Sequence, residues 1–440
     1  MSSSSIASAT VASPIEKKDR ILFLDAIRGF ALLGILLMNI TAQGQPFLLY
    51  TYLNLDQPIV GKNYIAWVVE MMFFEGTMRG LFSILFGAGT LLLMKRLEKT
   101  RGHIDAADIY YRRILWLLFF GLINAFIFLW TGDILYPYAL CGLVLFPFRN
   151  TSPKKLWVWA LVLLAFGTYR ETQLLYDKKD VIAKGRQVEL LEKANQKLTE
   201  TQVEDKKKWE TFQAKNSSEG LMKAVREEVK EIQTGGYTDI FVYYREVNVE
   251  FQSVFFYNSW WDVLGLFFIG IALMRTGFLE GKKSNVLYAA IAFFGILLSL
   301  AYNYIGIQEM YKARFDVVKM TENMPAELYQ VRRLLQTMGY LSLIILLYKI
   351  VPFRKAFNLL VPVGQMAFSN YLMQSIITSI LFLGFGYFGK FERHELYEIV
   401  IVIWVFQILF SHIWLKYFLF GPFEWLWRSL TYKKLQPFLK

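Results

Sequence analysis

RILFLDAIRGFALLGILLMNI, residues 20–40, is long enough to cross a bilayer as one helix, at about 20 residues rising 1.5 Å each. It nevertheless carries an acid and a base, Asp25 and Arg28, near its start. Their i,i+3 spacing places both on one helix face. Ionisable groups within a membrane helix cost several kcal/mol unless they pair or face a polar cavity. The stretch therefore reads as one wall of something polar, not as a simple anchor. Gly29 and Gly34 would let a second helix come close, and Asn39 closes the far end.

The same kind of run recurs along the 440 residues, of which 55% are hydrophobic, 17% aromatic and only 19% charged. A soluble protein of that balance would expose large apolar patches. The runs are continuous, not alternating, so they predict helices and exclude a barrel. The net charge of +12 reads as topology, because Lys and Arg collect in cytoplasmic loops, and not as a nucleic-acid surface. Basic clusters predict about ten transmembrane helices with both termini cytoplasmic: an all-α polytopic membrane protein. The second span, about 64–94, is over-long and interrupted by FFEGTMRG, which predicts a broken or tilted helix. Loop 95–113 reads as an inner basic loop. Spans three, four and five fall at about 112–130, 135–148 and 156–170, and spans six to ten at about 257–275, 285–305, 331–350, 361–388 and 396–420.

The domains follow. Residues 1–19, whose first dozen are rich in Ser, Ala and Thr, read as a disordered tail, with no cleavable signal peptide expected. Residues 20–170 hold spans one to five and 256–420 spans six to ten, and 421–440 are a cytoplasmic interfacial tail. Between the halves, 171–255 is a mainly helical insertion. Its Glu171–Ser253 part carries 14 basic and 16 acidic residues against 34 and 20 elsewhere, a balance suited to the extracytoplasmic side. Residues 178–232 lack Pro and predict helix, ended by Gly235-Gly236.

Four polar clusters stand out within the membrane. Asp25/Arg28 is either an intramembrane ion pair or a site where Arg28 meets a phosphate or carboxylate from the cytoplasm. Glu75 and Arg79, at i,i+4, read as a mutually satisfied pair or as a carboxylate that burial tunes towards general-base work. Asn124 with Trp130 and Asp133 reads as an Asx-type turn or as a polar floor for a substrate from outside. Glu424 and Arg428, at i,i+4 between Trp425 and Trp427, suit an amphipathic helix at the inner interface. His412, in span ten, reads as packed. Cys141 lies in an apolar run and cannot form an intrachain disulfide. No metal spacing, Walker-type loop or nucleophile elbow is present, which leaves an ATP-driven pump unsupported.

The opening stretch resembles that of the YeiB-like membrane proteins, whose C-terminal half is the domain of unknown function 418. The resemblance continues through MRGLFSILFGAG, YYRRILWLLFFGLINAFIFLWTGDILYPYALCG, TGGYTDIFVYYREVN, WWDVLGLFFIGIALMRTGFL, GQMAFSNYLMQS and FGPFEWLWRSLTY. That family is in turn similar to transmembrane acyltransferases of the heparan-alpha-glucosaminide acetyltransferase type, which share a first span of the form Asp, two residues, Arg-Gly. The resemblance implies a multi-pass protein of the bacterial inner membrane. It further implies transfer of an acyl group from cytoplasmic acyl-CoA, as co-substrate with no bound cofactor, to an envelope sugar, lipid or small metabolite. Asp25, Arg28, Asn39 and Arg79 would then bind donor or substrate, with Arg28 facing the CoA end. Glu75, Asp133 and Asn124 would line the catalytic path. Asp262, Asn370, Gln374, Glu424 and Arg428 would have structural or interfacial parts. The sequence departs where Asn124 replaces a histidine of many family members, and Asn39 likewise stands where acyltransferase relatives often have His. Asparagine cannot take a proton at neutral pH, so transfer would need Glu75, Asp133 or His412 as base, or would not occur. Two rivals remain: a transporter or flippase of an amphipathic or anionic solute, and a non-catalytic envelope protein docking a partner through 171–253. The expected partners are the bilayer, the acceptor and a second copy of the chain, with no nucleic acid.

Overall fold

The computed structural model describes residues 21–56 and 58–440; the expected disordered tail 1–19, and Arg20 after it, lie outside them. The helices are α1 (Leu22–Gly44), α2 (Gly61–Phe73), α3 (Thr77–Arg101), α4 (His103–Phe126), α5 (Leu135–Leu145), α6 (Pro153–Lys193), α7 (Glu200–Asn216), α8 (Ser218–Thr234) and α9 (Tyr237–Glu250). They continue as α10 (Trp260–Arg275), α11 (Asn285–Lys312), α12 (Val317–Asn323), α13 (Tyr329–Tyr348), α14 (Val351–Asn358), α15 (Val361–Gln365), α16 (Ala367–Ser379), α17 (Arg393–Tyr417) and α18 (Pro422–Tyr432). Among the described residues there is no β-strand beyond one isolated bridge, Phe418 to Leu439.

Among the described residues, six helical stretches are long and apolar enough to cross a membrane: α1, α2 with α3, α4, α11, α16 with its continuation to Gly384, and α17. Two bent pairs, 237–255 with α10 and α13 with α14, raise this to eight. Ten would also need α5, which has 11 residues, and the apolar start of α6. The predicted break in the second span is present: α2 stops at Phe73 and α3 starts at Thr77. Gly76 between them has φ +68°, a left-handed conformation that glycine adopts without steric cost. The predicted inner loop 95–113 is corrected. Both helices run through its charged residues and turn only at Gly102, whose φ is +78°. Lys, Arg and Glu are good helix formers, so charge there marks a helix end and not a loop.

The element at the centre is α1. Its backbone nearly touches α15, for a Cβ on Gly29 would fall 2.3 Å from the Leu360 carbonyl oxygen. A Cβ on Gly34 would meet Met78 Sδ of α3 at 2.4 Å. Both glycines thus do what their spacing predicts. At the periphery, α11 and α17 expose apolar side chains such as Phe293, Leu297, Val402 and Leu409. A helix that is apolar on its outer face as well as its inner one belongs in lipid.

The 171–255 insertion does not begin at a break. Helix α6 runs unbroken from Pro153 to Lys193, straight through position 171. Helices α7 to α9 then fold back over one end of the bundle. Leu221, Met222 and Val225 of α8 pack with Leu49 and Val317. Arg226 holds Asp56 at 2.7 and 2.8 Å, and Asn248 donates to the Ala125 carbonyl.

Candidate functional site

Beneath that roof, three arginines and two acids from three helices and the α2–α3 link share one polar centre. Glu75 and Arg79 lie one turn apart, yet they do not pair with each other. Arg79 donates to Asp262 of α10 at 2.8 Å, and Glu75 accepts from Arg332 of α13. Arg333 forms the second ion pair of Asp262. Tyr329 lies among them: its hydroxyl donates to Glu75 Oε1 at 3.3 Å, and both Arg332 and Arg333 lie over its ring, at 4.8 and 5.1 Å. With three guanidinium groups and two carboxylates, the cluster carries one positive charge in excess. Asp262 is the acid that ties α3 to α13.

The roof over this centre is stitched to it. Gln330 donates to Glu171 at 2.6 Å, and the Glu327 N–H donates to Thr172 Oγ1 at 3.2 Å. Arg186 pairs with Glu322 at 2.8 Å. On the other flank, the short helix Phe47–Tyr50 is held by Glu228 of α8, which accepts from the Phe47 N–H at 3.3 Å. Burial pushes the Glu228 carboxyl up to about 7, against the lowering effect of that N–H. Burial likewise raises Glu327.

A second buried pair lies nearby. Glu70 of α2 faces Arg393 of α17, accepts from the Tyr397 hydroxyl, and brings Arg393 against the Leu49 and Tyr52 carbonyls. Neither residue was singled out in the sequence. Glu70 had a visible signal, a lone acid inside IAWVVEMMFF. Arg332 and Arg333 had one too: two arginines at the outer end of span eight, the side on which the positive-inside pattern expects few.

Asn124, Asp133 and Tyr371 form a third, closed group. Asn124 donates to Asp133 Oδ1 at 2.7 Å, and the Tyr136 N–H donates to Asp133 Oδ2 at 2.9 Å at the start of α5. The Tyr371 hydroxyl accepts from the Ile134 N–H at 3.0 Å and reaches Asp133 at 3.3 Å. Beside it, Gln374 donates to Gln407 at 3.0 Å, Gln407 to the Asn370 carbonyl at 2.8 Å, and Asn370 to Ser411 at 2.9 Å. This neutral ladder joins α16 to α17. His412 contacts the Ile408 carbonyl at 2.9 Å, and Asn39 is half-buried on α1.

The opposite end of the bundle is basic. Arg28 donates to Asp25 at 2.7 Å, as the i,i+3 spacing predicts. Arg113 of α4, which the sequence reading counted only among the basic residues of loop 95–113, stacks on Trp427 at 3.5 Å and lies within the electrostatic reach of both Arg28 and Arg428. Glu424 accepts from the Phe368 and Ser369 N–H groups at 2.8 and 3.0 Å, fixing α18 to the start of α16. Three arginines from three helices, α1, α4 and α18, therefore stand at one end, with the acid Glu424 also within the electrostatic reach of Arg113.

Comparison with known proteins places this arrangement in a family. Residues 273–434 match the model of a protein of unknown function, DUF418. The uncharacterized protein YeiB of Escherichia coli (strain K12) is 30% identical over 95% of this chain and 98% of its own length. The chain belongs to the YeiB-like family. The uncharacterized protein YxaH of Bacillus subtilis (strain 168) is 28% identical over 97% of this chain and 98% of that protein. No solved structure matches. The YeiB-like match runs almost end to end, so the roof, the buried centre and the basic end all lie inside the region of likeness, whereas the DUF418 match begins only at the end of α10.

Proposed function

We propose that this YeiB-like protein is an inner-membrane acyltransferase-like protein that binds a phosphate-bearing acyl donor of the acyl-CoA type at its basic end. The observation that carries the reading is the meeting of Arg28, Arg113 and Arg428. Guanidinium groups bind phosphate oxygens through forked hydrogen bonds, and three of them against the two acids Asp25 and Glu424 leave one positive charge in excess for an anion. The basic end is cytoplasmic on this reading. Its support is that Arg149 meets Glu98 at 2.6 Å, Arg275 meets the Arg149 carbonyl, and Arg112 meets the Thr431 carbonyl at 2.9 Å, which gathers the basic loops on one side.

The reaction is ester formation at an envelope sugar or lipid acceptor. The acceptor oxygen bonds to the thioester carbon, the carbon–sulfur bond breaks, and the hydroxyl proton leaves with the thiol. The roofed centre, with one excess positive charge, suits the oxyanion that forms on the way. Binding of acetyl-CoA and of a longer acyl-CoA, measured by native mass spectrometry, tests the reading. Wild type is expected to bind and Arg28→Ala to bind roughly tenfold more weakly, the worth of one charge-assisted bond. Absence of CoA binding, or equal binding by Arg28→Ala, overturns it.

One observation favours a second reading, transport of an amphipathic or anionic solute. Glu70, Glu75 and Asp262 each face an arginine, and Asp133 is held by Asn124 and Tyr136, so each acid is engaged where it stands. Solute counterflow in proteoliposomes with no covalent product would select transport over transfer.

A further inference from the structure

A groove of about 750 Å³ opens between α4 and α18, apart from the buried centres. Its polar wall holds Arg112, Lys433 and Lys434, against a single acid, Asp108, so it carries an excess of two positive charges. Its apolar wall holds Trp116, Trp425 and Leu426. Lys433 and Lys434 are exposed, and among the described residues neither forms an ion pair. Lys433 sits at φ +51°, just past the end of α18, where the chain turns to bring both lysines to the groove.

The depth of the groove in the membrane is set by α4. The helix is charged up to Arg112 and Arg113, then continues as ILWLLFF from Ile114. That change marks the level where hydrocarbon meets headgroups, whichever leaflet it is. Trp116 and Trp425 flank it, as interfacial tryptophans do. Leu115, Leu426 and Leu435 are exposed at the same place, at 53%, 36% and 75%. Cations above, indoles at the rim and aliphatic side chains below match one kind of molecule, with a phosphate joined to acyl chains.

We infer that the α4–α18 groove seats an anionic phospholipid, with its phosphate between Arg112, Lys433 and Lys434 and an acyl chain along Leu115 and Leu426. The occupant is lipid, not a free anion, because half of the lining is apolar and open to the bilayer. This is independent of any acyl transfer, and it makes α18, which carries Arg428, a lipid-locked strap over Arg113.

The test is native mass spectrometry of the full chain in mild detergent, with phosphatidylglycerol or phosphatidylcholine added at equal amounts. Wild type should retain phosphatidylglycerol in preference. Lys433→Asn with Lys434→Gln, at exposed positions where Asn still tolerates the left-handed turn, should reduce that preference by on the order of tenfold and leave phosphatidylcholine retention unchanged. Equal retention of the two lipids by wild type overturns the inference, as does an undiminished preference in the double variant. Displacement of phosphatidylglycerol by inorganic phosphate alone also overturns it, since that marks a free-anion site.

Discussion

Glu75 shows how one residue's chemistry depends on its partner. Read along the helix, it pairs with Arg79 four residues on. In the fold it belongs to Arg332, and Arg79 belongs to Asp262. A buried ion pair adds little over an apolar pair of the same shape, but removing one partner strands a charge and costs about 3–5 kcal/mol. Arg332→Ala is therefore expected to lower the thermal midpoint of the solubilised protein sharply, and adding Glu75→Gln should restore part of the loss. A neutral single variant, or no rescue, would count against the pairing. The same logic applies to Arg28, whose side chain is 27% exposed but whose partner Asp25 is buried: Arg28→Ala should lower the thermal midpoint as well as acyl-CoA binding, and adding Asp25→Asn should restore the midpoint and not the binding. Cys141 is buried at 3% exposure, so the folded protein should resist maleimide until it is denatured. Rapid labelling of the native protein would contradict its packing.

Among the elements, the roof has its own stability. Helix α8 turns its apolar face to Leu49, and Glu228 latches Phe47–Tyr50 beside it. The Glu228 carboxyl is raised in the folded state, up to about 7. A raised carboxyl binds its proton more tightly when folded, so its stabilisation is fully present below its ordinary value and fades as pH rises through about 7. Hydrogen exchange across 218–234 should therefore be slower at pH 5 than at pH 8 after correction for intrinsic rates. Glu228→Gln, which keeps the shape without the charge, should flatten that difference. An exchange difference that survives in Glu228→Gln would assign the effect to another group. Since the apolar face of α8 is spent on this chain's own bundle, docking of a partner through the insertion would have to use its polar side.

At the scale of the whole molecule, packing relies on small residues between helices. A Cβ on Gly270 of α10 would fall 2.0 Å from the Ile84 carbonyl oxygen of α3. Gly270→Ala must therefore push apart the two helices that carry Asp262 and Arg79. It is expected to cut the yield of folded protein in membranes and lower its thermal midpoint, and wild-type behaviour would refute the close crossing. The helical class, the membrane setting, the Asp25/Arg28 pair and the roles of Gly29 and Gly34 could be read from the sequence, because each depends on residues within one or two helical turns. The break at Gly76 could be read for the same reason. The 95–113 loop misled because charge signals depth in a membrane, and depth is not the same as the end of a helix. What joins Glu70 to Arg393, Glu75 to Arg332 and Arg79 to Asp262 could not be read at all. Those partners are brought together by how each helix rotates and where it crosses its neighbours, and a one-dimensional period fixes a face without saying what stands opposite it. The sequence by itself therefore determined which residues share a helix face and which stretches seek lipid. Only the tertiary structure decided which charges meet, because that follows from packing between helices hundreds of residues apart.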